Sequence, residues 1–401
     1  MSSWLPTHSK EYYPRSLRPR SCKVNRRAFW LSVSLSLIVL LHSLLRYTRP
    51  EYAHFTSVSN ITAHLPWGGD NHDSVSNTEY ELQTNGTRRA NAVLLMLARN
   101  SELEAAMGSV RELEERFNKR FGYPWVFLNE VPFTDEFMRN MSSIIAGPVS
   151  FGRIPAEDWY QPNWIDEGKA SASRAQMEAD GVVYGGSLSY RNMCRFNSGF
   201  FYRHPLVRPY KWYWRVEPNV HFRCDTDYDP FLFMEENDKV YGFTISPLEW
   251  PQTVPTVWDA VKEFVAANPQ LLPENNSMPY LSDDGGVTYN MCHFWSNFEI
   301  ADMDFWRGDA YSKFFEHLES KGGFYYERWG DAPVHSIGVG LFARKDQIHF
   351  FDDIGYQHDP FQHCPRDGGV RSAKNCDCRP YESFDYSGYS CLTKWEQALR
   401  S

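Results

Sequence analysis

The sequence predicts an α/β fold, a twisted and mostly parallel sheet with helices on both faces, and three observations carry that prediction. Residues 91–99, NAVLLMLAR, form a short apolar run suited to a parallel strand buried on both sides. Behind it Leu103, Met107, Val110, Leu113 and Phe117 recur at helical spacing, which puts them on one face. A second apolar run, YPWVFLNEVP, follows at residues 123–132. Strand, helix and strand in that order make a parallel pair joined by a right-handed crossover. With 42% hydrophobic and 16% aromatic residues, a chain of 401 can bury a large core and is not a disordered one.

In chain order, residues 1–28 form a basic tail with seven Lys/Arg against the single Glu11. Residues 29–45, FWLSVSLSLIVLLHSLL, hold no formal charge over 17 positions and span roughly 26 Å as a helix, enough for a thin bilayer. Arg15, Arg18, Arg20, Lys23, Arg26 and Arg27 precede this run, and Arg46 and Arg49 follow it. The positive-inside rule then places the N-terminus in the cytosol. The long N-terminal region, with no small-residue cleavage site after the apolar run, favours an uncleaved signal anchor over a cleaved signal peptide. Residues 46–90 are rich in Ser, Thr, Asn and His without sustained periodicity, and read as a stem. The remaining residues, 91–401, form the globular body.

Within that body Ser101 and Glu104 stand at capping-box spacing before the first helix, and Thr134 precedes a second helix, DEFMRNMSSII. Neither GxGxxG nor GxxxxGK[ST] follows the first strand, so a glycine-rich phosphate cradle is not expected. Nucleotide recognition would then use side chains. Arg99, just past the carboxyl end of the first strand, is a candidate phosphate contact, because ligands of open sheets gather there. Beyond residues 1–28 the chain carries 34 basic and 49 acidic side chains, which argues against a nucleic-acid partner.

Seven cysteines follow the apolar run, Cys194, Cys224, Cys292, Cys364, Cys376, Cys378 and Cys391, so full pairing leaves one thiol over. Disulfides at Cys376 and Cys378 would fasten a Gly/Asp/Arg-rich tail to the body, and zinc is the rival use of such a cluster. Asn-X-Ser/Thr acceptors at Asn60, Asn85, Asn140 and Asn275 fit the same secretory compartment.

Residues 289–364 mix aromatic rings, carboxylates and histidines more densely than packing alone requires. Buried acids are costly unless paired, hydrogen-bonded or metal-bound, so acids among Trp, Tyr and Phe suggest a sugar-sized pocket. Upstream, the aromatic segment WYWRVEPNVHFRCDTDYD (residues 212–229) offers two acidic elements. One is Glu217 in Glu-Pro-Asn and the other is Asp225-Thr226-Asp227.

These strings, WYWRVEPNVHFRCDTDYD, YNMCHFWSNFEIADMDFW, FYYERWGDAPVHSIG and FFDDIGYQHDPFQHCP, resemble the signature blocks of the fungal Golgi α-1,2-mannosyltransferases, glycosyltransferase family fifteen. The resemblance covers residues 90 to 395 and implies a GT-A-like, Rossmann-type nucleotide-sugar transferase domain with a mostly parallel mixed sheet, behind an N-terminal transmembrane helix. It implies a type II Golgi membrane protein with a luminal catalytic domain. Its donor would be GDP-mannose and its acceptor the mannose-terminated N- or O-linked glycan of a glycoprotein. It places the guanine nucleotide near Tyr190, with Arg191 beside it, after the Gly/Ser loop in YGGSLSYRNMCRF. It favours Glu217 and His358 over Asp225 and Asp227 as ligands of Mn²⁺, while Asn219 stands where some metal motifs carry an acid.

The implied reaction retains configuration at the anomeric carbon. Retention asks for a carboxylate beside that carbon, either as nucleophile or as a stabiliser of positive charge in a same-face displacement. Glu299 is the family-matched carboxylate. Asp331 is the second, as a catalytic acid or a ligand of sugar hydroxyls. His335 reads as a satisfied core histidine, and Asp302, Asp304, Asp352 and Asp353 as structural or solvated acids. The departing phosphate can take the acceptor proton, so no separate base is required, and Cys292 next to His293 does not make a cysteine hydrolase. A glycoside hydrolase using Glu299 and Asp331 is one rival reading; an inactive mannan-binding or scaffold paralogue is another.

Overall fold

The computed structural model describes residues 88–400. The basic tail, the apolar run at 29–45 and nearly all of the stem lie outside the described residues. Among the described residues no helix is long and apolar enough to cross a membrane.

The first apolar run becomes β1 (Ala92–Leu97), and the helical-face residues build α1 (Leu103–Leu113), which runs on through a wider turn to Phe121. The capping box falls elsewhere than at Ser101 and Glu104. A single 3₁₀ turn, Asn100–Glu102, precedes α1, and Glu102 accepts from the Arg99 N–H at 2.7 Å. The turn lets the chain reverse tightly after β1 and shifts the cap by two residues. The second run becomes β2 (Trp125–Asn129), and Thr134 caps α2 (Asp135–Ile144) by accepting from Phe137 N–H. β3 (Val149–Arg153), α3 (Glu167–Ala179) and α4 (Leu188–Gly199) follow, the last capped by Ser187.

The aromatic segment is a strand only over β4 (Trp212–Val216). Asn219 then turns the chain with φ 62°, a left-handed conformation that Asn tolerates well, and β5 (Val220–Phe222) leaves in a new direction. β6 (Tyr241–Phe243), α5 (Val257–Ala267), β7 (Glu299–Asp302), α6 (Asp309–Lys321), α7 (Asp331–Phe342), β8 (Ile348–Phe350), β9 (Tyr356–His358), β10 (Phe361–His363) and α8 (Leu392–Ala398) complete the body.

Seven strands form one sheet in the order β3-β2-β1-β4-β7-β6-β8. β1 to β4 are mutually parallel, whereas β7 runs antiparallel to both β4 and β6. The sheet is therefore mixed and mostly parallel, as in the GT-A expectation. Period-2 alternation splits its side chains between two cores. Leu94, Met96, Trp212, Trp214 and Ile300 face α1 and α2, while Val93, Leu95, Tyr213, Tyr241 and Ala301 face α4, α6 and α7. On the second face α4 lies so close to α6 that a Cβ on Gly199 would sit 2.1 Å from the Phe315 ring, which only glycine permits. A small antiparallel sheet has the order β10-β9-β5.

Three disulfides, Cys224–Cys376, Cys292–Cys391 and Cys364–Cys378, fasten the C-terminal segment to the body. Cys194 is the thiol left over; it is buried, and that burial pushes its ionisation up, so it is inert. With Cys364, Cys376 and Cys378 oxidised, no thiolate cluster remains there for zinc.

Candidate active site

Strand register assembles the centre of the site. Arg215 on β4 pairs across β1 with Leu95 and across β7 with Glu299, so these three side chains form a row on the second face. Tyr213, two residues before Arg215, and Tyr241 on β6 flank the row. A narrow cavity opens there, lined by Leu95, Leu97, Asn197, Tyr213, Arg215 and Glu299 among others.

Glu299 is 1% exposed, and donors reach both its oxygens. The Tyr213 hydroxyl donates to Oε1 at 2.8 Å and itself accepts from Trp306 Nε1 at 3.1 Å. The Tyr241 hydroxyl donates to Oε2 at 3.1 Å, and His335 Nδ1 stands 3.0 Å from the same oxygen. Glu299 is thus a pinned carboxylate on a strand, not the cap of a helix. His335 is fully buried, with its other nitrogen 2.9 Å from the Asn197 carbonyl, and so is a satisfied core histidine.

Arg215 joins the acids. Its Nη1 donates to Asp331 Oδ2 at 2.5 Å and stands 3.8 Å from Glu299 Oε1; its Nε and Nη2 donate to Glu217 Oε1 at 3.1 and 2.5 Å. Burial disfavours this cation, but Asp331, Glu217 and Glu299 outweigh it and hold the guanidinium charged. Asp331 opens α7 and also accepts from Ser296 at 2.7 Å. Burial alone would push its carboxyl up; the Arg215 and His335 charges and the hydrogen bonds from Arg215 and Ser296 hold it below the usual aspartate value.

Pairing of β5 with β9 sets Val220 opposite His358, three residues beyond Glu217. His358 Nε2 comes within 3.9 Å of Glu217 Oε2, and its buried Nδ1 has no hydrogen-bond partner. Both side chains are about one-quarter exposed. Asp225 and Asp227 are used otherwise: Asp225 accepts from Arg116 at 3.0 Å and from Asn375 at 2.8 Å, and Asp227 pairs with Lys374 at 3.3 Å. They strap the disulfide-bonded tail. Asn219 is a turn residue, which accounts for an amide at that position. Among the described residues no group of three or more His, Cys, Asp or Glu side chains could hold a metal. Glu217 and His358 are the two donors the resemblance names, and they stand together as a pair.

At the start of α4 Tyr190 stacks on Tyr184, with centroids 4.5 Å apart, and the Arg328 guanidinium lies 5.2 Å from its ring centre. Arg99 donates to Ser189 at 2.9 Å and pairs with Glu102, so its exposed guanidinium stands beside the start of α4 and Tyr190. Arg191 is placed differently from the expectation. It is fully buried, and donates to the carbonyls of Gly185, Ser187 and Glu327 and towards Met177 Sδ. The expected nucleotide contact is corrected to a brace of the 185–187 loop, because its N–H groups point inward. Cys292 is disulfide-bonded, so it offers His293 no thiol. Arg215, Tyr213, Tyr241 and Ser296 were missed from sequence. Alternation within WYWRV, which sets an arginine two residues before Glu217 and on the Tyr213 face, was the signal available for Arg215.

A family model described as glycolipid 2-alpha-mannosyltransferase matches residues 51–399. The chain is 54% identical over 304 residues to Glycolipid 2-alpha-mannosyltransferase 1 of Candida albicans, covering 76% of this chain and 70% of that protein. It is 52% identical over 307 residues to Alpha-1,2 mannosyltransferase KTR1 of Saccharomyces cerevisiae, covering 77% and 78%. Among solved structures, Core-mannan synthase A from Aspergillus fumigatus in its Mn/GDP form superposes with a TM-score of 0.74 at 43% identity, over 79% of this chain and 87% of that one.

Proposed function

The chain belongs to the glycolipid 2-alpha-mannosyltransferase family, and from that premise we propose that it transfers mannose from GDP-mannose to a mannose 2-hydroxyl of a glycoprotein glycan, with retention. The observation that carries the reading is the Arg215 junction, which gathers Glu299, Asp331 and Glu217 at one end of the sheet with His358 3.9 Å from Glu217. The acids thus stand where a sugar diphosphate and its cation would meet. An inactive paralogue would have no need for three carboxylates held around one buried cation.

Glu217 and His358 would hold a Mn²⁺ ion: their oxygen and imidazole donors suit it, they stand 3.9 Å apart, and the buried His358 Nδ1 is without a hydrogen-bond partner. When bound, the ion neutralises the diphosphate leaving group. A carboxylate donor favours it over softer metals. We assign Arg99 and Tyr190 to the nucleotide; the Arg99 bond to Ser189, next to Tyr190 at the start of α4, supports their acting together. Glu299, with donors on both oxygens, serves better as a fixed negative charge beside the anomeric carbon than as a nucleophile that must form a bond. That favours the same-face displacement, in which the leaving phosphate takes the acceptor proton. Asp331, held by Arg215 and Ser296, orients sugar hydroxyls. We further assign the protein to a membrane in type II orientation, on the basic tail and apolar run of the sequence, and to the Golgi on the family resemblance alone.

The test incubates the protein with GDP-mannose and methyl α-mannoside, with and without Mn²⁺, and reads the product linkage by NMR. An α-1,2-linked disaccharide formed only with metal is the expected product, and His358→Ala should then raise the Mn²⁺ concentration needed for half-maximal rate. A folded protein that binds mannan but forms no product, with mannosides of any length, would overturn the reading.

A further inference from the structure

The hydrogen-bond geometry around His335 assigns it a role that core packing does not require. Its Nε2 stands 2.9 Å from a backbone carbonyl, which can only accept, so Nε2 carries a proton. Its Nδ1 stands 3.0 Å from Glu299 Oε2. A neutral imidazole has a single N–H, and with that proton on Nε2 it would turn a lone pair towards the carboxylate. One further proton must lie between Nδ1 and Oε2.

The other partners of Glu299 say which atom holds it. Tyr213 accepts from Trp306 and so turns its own proton to Oε1, while Tyr241 donates to Oε2. Glu299 thus accepts at both oxygens, as an ionised carboxylate does. We infer that His335 is a buried imidazolium and a positioning residue, holding Glu299 ionised and in a fixed rotamer against the cleft.

Two further observations agree. The Trp306 indole stacks on the imidazole at 4.3 Å and 22°, a face that attracts a cation. Glu299 and Asp331 are buried and otherwise share Arg215 alone, and buried carboxylates without a counter-charge are costly. The titratable or charged groups around the ring are Glu299 on β7, Asp331 on its own helix, Tyr213 and Arg215 on β4, Tyr241 on β6 and Tyr311 on α6.

This inference rests on the reading of Glu299 as the carboxylate beside the anomeric carbon, and the test separates the two. In the full-length protein labelled with ¹⁵N-histidine, the His335 signals, identified by their absence in His335→Gln, should show both ring nitrogens protonated at pH 7.5. A neutral ring would overturn the inference without any need for a variant to be active. In kinetics, His335→Gln should lower kcat on the order of 10²-fold with the KM for GDP-mannose nearly unchanged. A normal kcat, or a loss carried by KM instead of kcat, would make His335 structural only. Glu299→Gln is the control: near-normal turnover there removes Glu299 from the chemistry, whereas an inactive Glu299→Gln beside a normal His335→Gln overturns the present inference alone.

Discussion

Arg215 stands among three carboxylates, and its removal would strand two of them in a largely dry cluster. Breaking a buried pair by deleting one partner costs more than the pair contributes, because a bare charge stays behind. Arg215→Met, which keeps the length and loses the cation, should therefore lower stability by about 3 kcal/mol and abolish transfer. Urea unfolding and the GDP-mannose assay read the two effects, and an unchanged unfolding midpoint would show the acids to be solvated. The same residue marks the limit of what the sequence conveys. Glu299, Asp331, Glu217 and His358 stand out because acids and a histidine among aromatics ask for an explanation. Arg215 looks like a strand residue until the β4–β7 register, which no local pattern encodes, sets Glu299 opposite it. Arg191 misled for the converse reason: beside a glycine loop it resembles an anion ligand, and only the fold of residues 185–187 shows its donors turned inward.

At the scale of elements, β1, α1, β2 and α2 were legible because each has its own periodicity and length. β5, β6, β8, β9 and β10 were not, since each has three residues and owes its conformation to its neighbours. Two predictions belong here. On β8 the His349 ring packs between Phe233 and Phe351, and burial followed by the nearby Lys239 charge lowers its pKa from 6.5 to about 4. Below pH 6.5 an unfolded chain takes up a proton that the folded one refuses until about 4. The stability this histidine supplies is present above pH 6.5 and is lost as pH falls towards 4. His349→Leu should flatten that part of the stability profile in thermal melts between the two values; a slope as steep as in the parent would place the loss in other groups. The second concerns the tail. Cys292 and Cys391 are 99 residues apart, so their bridge removes much loop freedom from the unfolded chain, roughly 4 to 5 kcal/mol in the chain-entropy account. Replacing both by Ala should lower the denaturant midpoint accordingly and loosen α8, seen as faster hydrogen exchange at Trp395. Unaltered exchange would mean that the apolar contacts of α8 hold it without the bridge.

At the scale of the whole molecule, everything the proposed reaction needs lies in one compact unit. Residues Gln83–Ser401 cluster as a body of their own, and that body holds both apolar cores, the three disulfides and each site residue from Arg99 to His358. Catalysis should accordingly be indifferent to the first 82 residues, whose predicted work is to anchor and to space. A protein beginning at Gln83 and made in an oxidising secretory pathway, so that the three bridges form, should melt at the same temperature as the full chain. Its kcat and KM for GDP-mannose and methyl α-mannoside should also match. What should change is its behaviour towards detergent and membranes: the full chain should sediment with vesicles until detergent releases it, and the shortened one should not. If the shortened protein folds but loses turnover on the small acceptor, the N-terminal residues reach into the reaction. If both forms stay soluble without detergent, residues 29–45 are not an anchor and the assignment to a membrane fails.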